Sequence, residues 1–123
     1  VFRRPPAIDL STFVDIDDVV TCLPVYQEVL QGFRDEPSFR TAREAMSSMT
    51  IVESPLGADV FDEAVQLYRT ARRAVLTIRS SVDCLIATCA MRHDLEILHL
   101  DRDFDALGRI APLRVRSARM RLA

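Results

Sequence analysis

Ile78-Arg79-Ser80-Ser81-Val82-Asp83-Cys84-Leu85-Ile86-Ala87-Thr88-Cys89-Ala90-Met91 is apolar on nearly every side once past its two serines. Ser80 and Ser81 suit the start of a helix, and a helix apolar nearly all round belongs in the interior. Just downstream, Leu95 to Leu100 sets Ile97 and Leu98 between Glu96 and His99, the pattern of a short strand. Asp101 to Leu107 then reads as a short helix, and Leu113-Arg114-Val115-Arg116 as a last alternating strand. Strands separated by helical stretches call for a parallel sheet covered on both faces. The expectation is an α/β sandwich.

Upstream, the same alternation holds. Pro5-Pro6 marks a loop before a short amphipathic piece from Asp9 to Val14. Val19 to Cys22, bounded by acids and Pro24, reads as a buried strand. Pro24 then opens a helix with Val25, Tyr26, Val29, Leu30 and Phe33 on one face, weakened by Gly32 and ended by Asp35-Glu36-Pro37. Ser38 is the expected N-cap of a second helix, with Phe39, Ala42, Ala45, Met46 and Met49 at helical spacing. Ile51-Val52 is a brief strand candidate before the Pro55-Leu56-Gly57 turn. A longer helix follows, its apolar stripe read as Phe61, Ala64, Val65, Tyr68, Ala71 and Val75. Met46, Met49 and the Phe61–Tyr68 stripe read as core, with a partner groove as the alternative.

The chain has 123 residues, 49% hydrophobic and 28% charged, which fits one folded domain and is too apolar for disorder. No stretch is long and apolar enough to span a membrane. The net charge of −2 argues against coating nucleic acid through bulk positive charge, though not against a small local site. All 16 basic residues are arginine, as in proteins from GC-rich genomes. Without lysine, P-loop, Schiff-base and Ser–Lys chemistries are excluded, and so is a receiver domain built on Asp15-Ile16-Asp17-Asp18. The three cysteines, Cys22, Cys84 and Cys89, are odd in number and sit among apolar neighbours. They read as reduced core thiols of a cytoplasmic protein rather than a disulfide framework or a zinc site.

In open parallel sheets, ligands bind beyond the carboxyl ends of the strands. Three acids from distant segments are placed to meet at such an edge. Glu28 lies one turn into the first helix, Asp83 in the first turn of the buried helix, and Asp101 directly after a strand, with Asp103 and Asp105 behind it. Two carboxylates at about 4 Å repel by on the order of 4 kcal/mol at an effective dielectric of 20, so such a site needs protons or a cation. Oxygen-only ligands select a hard ion, Mg²⁺ or Mn²⁺. Each acid also has an ordinary reading. Asp83 completes a capping box with Ser80, Glu28 is solvated at the helix margin, and Asp101 is an N-cap.

The stretch from Ile78 to Ala87, followed by Leu98-His99-Leu100-Asp101-Arg102-Asp103-Phe104, resembles the C-terminal half of PIN-domain ribonucleases, most closely the VapC toxins of bacterial toxin–antitoxin pairs. In that family a D-x-x-I-A helix start and a strand-end D-x-D-F each supply an acid to a metal site. They fall here on Asp83 and Asp101. A V-x-x-E-[VLI]-x-x-G-like helix fits Val25 to Gly32 and places a third acid at Glu28. The family also opens with a strand ending in an aspartate, and nothing before Asp9 can supply it. The expectation is therefore a single PIN-like domain over residues 1–123, N-terminally incomplete.

The resemblance implies a PIN-like three-layer sandwich, a mostly parallel sheet flanked by helices. It implies a Mg²⁺- or Mn²⁺-dependent endoribonuclease in which Glu28, Asp83 and Asp101 hold the ion and an RNA phosphodiester is hydrolysed. Asp103 and His99 are candidates for the surrounding shell and Arg79 for a phosphate contact, each with a structural alternative. Expected partners are RNA, a VapB-type antitoxin covering the acidic pocket, and a second copy of the chain. The rival reading is a catalytically inactive interaction module. Arg114, Arg116, Arg119 and Arg121 form the one dense basic stretch, either an RNA track or a solvated terminus.

Overall fold

The computed structural model describes residues 18–78, 80–99 and 102–117, and for His99, Arg102 and Ser117 the backbone alone. The expected piece from Asp9 to Val14, together with Leu100, Arg119 and Arg121, lies outside them. The chain divides into two compact units, one ending at Ser54 and the other beginning at Pro55.

In the first unit, the strand expected over Val19–Cys22 contracts to β1 (Thr21–Cys22) and pairs in parallel with β2 (Ile51–Val52). Between them run α1 (Leu23–Gln31) and α2 (Glu36–Ser47), packed on one another. Pro24 sits in the first turn of α1, where its missing N–H costs nothing. Phe33 falls beyond the end of α1 and is exposed instead of facing the core.

The start of α2 also differs from the expected Ser38 cap. Asp35 is the N-cap, and its Oδ2 accepts the backbone N–H of Ser38 at 2.9 Å. Pro37 is thereby absorbed into the first turn rather than ending the preceding helix, because an amide there has no intrahelical partner to lose. Met46 is buried on α2, whereas Ala45 is exposed.

The second unit holds α3 (Ala58–Arg73), α4 (Ser81–Arg92), β3 (Glu96–His99), α5 (Arg102–Gly108) and β4 (Arg114–Ser117). β3 and β4 pair in parallel, with Ile97 opposite Val115, across the α5 crossover. α4 packs on α3, α5 and β3 and is the buried helix the sequence indicated, with Cys84, Ile86, Ala87, Thr88, Cys89 and Ala90 all inside. Thr88 satisfies its hydroxyl by donating to the Cys84 carbonyl at 2.8 Å. Phe104 and Leu107 of α5 are fully enclosed.

The expected stripe of α3 is not the one that packs. Val60, Ala64, Leu67 and Ala71 are buried, while Phe61 and Val65 are exposed. The small Ala64 and Ala71 let α4 approach closely, and Arg92 of α4 ties the same side through ion pairs to Asp59 and Glu63. Both helices close in a Schellman turn with a residue other than glycine in the left-handed position. These are Val75 after α3, where Leu76 donates to Ala71, and Asp94 after α4, where Leu95 donates to Ala90.

Candidate functional site

Asp83 stands in the first turn of α4, and only 5% of it is exposed. Ser80 is the N-cap of α4, but its side chain makes no capping bond; the turn is closed by the Asp83 N–H donating to the Ser80 carbonyl. The capping-box explanation of Asp83 therefore loses its serine half. A carboxylate here sits at the positive end of a twelve-residue helix, which favours its charged form.

Asp103 occupies the first turn of α5 and is also only 5% exposed. The two acids come from helices that pack together, and Cys84 registers both. Its thiol, 1% exposed, is pushed up to about 11, first by burial, then by the charge of Asp83 and then by that of Asp103. Two buried carboxylates thus share one low-dielectric neighbourhood in the second unit. The signal in the sequence was the D-x-D-F spacing, which puts Asp103 two residues beyond Asp101 and directly before the enclosed Phe104.

Glu28 belongs to the first unit, on α1, where it is half-buried. One carboxylate oxygen on each of Glu28 and Asp83 is sealed from solvent. Asp101 and Arg79 lie outside the described residues, as does the side chain of His99. The structure therefore brings Asp83 and Asp103 into one neighbourhood. Among the described residues, no three His, Cys, Asp or Glu side chains gather as a metal-binding group.

The donor chemistry nonetheless fits a hard cation. The buried acids offer only oxygen, and their mutual repulsion is relieved by positive charge. The cysteines are free and buried, in keeping with a role as small core residues. In the basic stretch, Arg116 pairs with Glu96 at 2.9 Å and Arg114 with Asp94 at 3.2 Å. Half of the arginines that might track a phosphate backbone are thus already engaged within the chain.

Comparison with known proteins extends these observations to the whole chain. A PIN domain signature spans residues 2–110. The VapC ribonuclease Mb1587 of Mycobacterium bovis is 38% identical over 101 residues, covering 82% of this chain and 75% of that protein. Ribonuclease VapC11 of Mycobacterium tuberculosis matches to the same extent. Among solved structures, FitAcB from Neisseria gonorrhoeae superposes with a TM-score of 0.60 at 18% identity, over 86% of this chain and 78% of that one. FitAB bound to an IR36 DNA fragment gives 0.59 at 18% identity, over 88% and 78%. These two structures establish a shared fold. With the signature running nearly end to end, and with relatives this similar, the chain belongs to the PIN domain family, among the VapC ribonucleases.

Proposed function

We propose that the chain is a metal-dependent endoribonuclease, the toxin of a toxin–antitoxin pair, acting in the cytoplasm. The observation that carries this reading is the burial of two acids, Asp83 and Asp103, in adjoining first helical turns of one packed unit. Natural cores seldom hold two like charges without a cation or a substrate to justify them.

In this reading Asp83, Asp101 and Glu28 hold one or two Mg²⁺ or Mn²⁺ ions, and Asp103 orients them or joins them. The bound ion supplies water activation and charge neutralisation for an in-line attack on phosphorus. The chain's own residues do the rest. The α4 N-terminus holds Asp83 ionised, the enclosure by Phe104 and Leu107 fixes the start of α5, and the buried setting strengthens each electrostatic contact. Arg79 and His99 remain candidates for phosphate contact and outer-shell support.

An antitoxin of the VapB kind is the proposed protein partner. A shallow hollow of about 420 Å³ between the end of α1 and the start of α2, lined by Phe33, Pro37, Ser38, Thr41 and Ala42, offers an apolar seat in the first unit. The same hollow favours the second reading, an interaction module without chemistry.

RNA cleavage in Mn²⁺ separates the two readings. Single-stranded and structured RNAs are incubated with the chain, with EDTA and with Asp83→Asn in place of the parent. Cleavage lost in both controls is the expected result. Cleavage that survives Asp83→Asn would overturn the site. No cleavage, even after an aspartate-bearing strand is supplied upstream, leaves the interaction module.

A further inference from the structure

Phe33, Phe61, Val65 and Val75 are the large apolar side chains exposed among the described residues, and the last three belong to α3 or the turn that ends it. At 3.6 residues per turn, Phe61, Val65, Tyr68 and Arg72 form one stripe. It lies about 100° around the helix from the buried stripe of Val60, Ala64, Leu67 and Ala71. α3 thus has two apolar faces, and the chain itself uses one.

Val75 adds a second, independent observation. It is 89% exposed, yet its backbone is held at φ 59°. The left-handed position of a Schellman turn suits glycine, and a β-branched residue is among the least favourable there. A strained, solvent-facing valine gains nothing inside the single chain.

Charge identifies the occupant. The acids of α3, Asp59, Asp62 and Glu63, precede its bases, Arg69, Arg72 and Arg73. Arg92 takes Asp59 and Glu63 within the chain, whereas Asp62, Arg69 and Arg72 form no ion pair among the described residues. A helix acidic at one end and basic at the other is complementary to itself only when antiparallel. A parallel copy would set like charge on like.

We propose that the outward face of α3 is where two copies of this chain pair about a two-fold axis, antiparallel. Val65 lies near the axis, against its own counterpart. Phe61 and Tyr68 extend the contact to either side, Asp62 of each copy meets Arg69 and Arg72 of the other, and Val75 closes the ends. A face one helix wide gives a reversible dimer rather than an obligate one. The proposal rests on α3 alone, so it and the nuclease reading fail separately.

Sedimentation velocity of the chain over a wide concentration series tests it. The sedimentation coefficient is expected to climb from monomer to dimer. Val65→Glu should leave the melting curve unchanged and weaken the dimer by about tenfold or more, because two like charges then face each other across the axis. Asp62→Arg and Arg69→Asp should each weaken self-pairing alone, and mixing the two variants should restore a dimer. A chain that stays monomeric throughout, or a dimer indifferent to Val65→Glu, overturns the proposal. Failure of the two charge variants to pair on mixing overturns the antiparallel arrangement.

Discussion

Asp83 and Asp103 are each 5% exposed and both act on the Cys84 thiol, so in the absence of a cation each carries the other's repulsion. Replacing either by asparagine should raise the metal-free stability, by about 1 kcal/mol, while removing RNA cleavage. Paired melting and cleavage assays check both signs at once, and a loss of stability in Asp103→Asn would mark that residue as structural. Val75 invites the opposite kind of substitution. Val75→Gly relieves the left-handed strain and should stabilise the monomer by about 1 kcal/mol, read from denaturant unfolding at low protein concentration. Cys84 has its pKa raised from 9.0 to about 11. A raised value contributes stability that is intact below 9.0 and is lost as the pH climbs through about 11. At neutral pH the thiol is protonated and enclosed. Mass spectrometry after alkylation should find Cys84 unmodified in the folded chain and modified once it unfolds.

At the scale of elements, α2 shows how a helix start can be misplaced by a plausible cap. Ser38 has the right chemistry, but Asp35 lies three residues earlier and accepts the Ser38 N–H itself. That contact, with Ser38 as its main source, holds the Asp35 carboxyl below its ordinary value of 3.8. The cap therefore supports α2 above that pH and is lost as the pH falls through the lower folded value. An NMR titration should place Asp35 below the other exposed carboxylates, and Ser38→Pro should bring it back by removing the donor. α3 carries the other element-level lesson. Its periodicity announces a helix, yet two apolar stripes compete for the core. Their composition alone ranks the bulky Phe61–Val65–Tyr68 stripe above the smaller Val60–Ala64–Leu67–Ala71. Close approach to α4 reverses that ranking, because alanines at the crossing let the backbones near each other and Arg92 reaches back to Asp59 and Glu63.

At the scale of the whole molecule, the nuclease reading predicts linkage between metal and folding. If the acids hold a divalent ion only in the folded chain, Mn²⁺ at about 100 times its dissociation constant should stabilise by about 2.7 kcal/mol. Scanning calorimetry with and without the ion measures this directly, and Asp83→Asn should flatten the response.

What the amino-acid order determined by itself was local. The period of α4, the alternation in β3 and β4, the parallel α/β class and the candidate acids Glu28 and Asp83 are all legible in nearest-neighbour chemistry and in D-x-x-I-A and V-x-x-E spacing. Asp103 was legible as a residue type but not as a buried one. An acid in a first helical turn looks solvated until α5 is laid against α4. The choice of α3's core face, the transfer of the α2 cap to Asp35 and the pairing of Arg114 and Arg116 with Asp94 and Glu96 were likewise decided by tertiary structure. Each depends on which surfaces approach within a few ångströms across long sequence separations or around a turn. Burial and charge act through space, and sequence pattern reports only on neighbours along the chain.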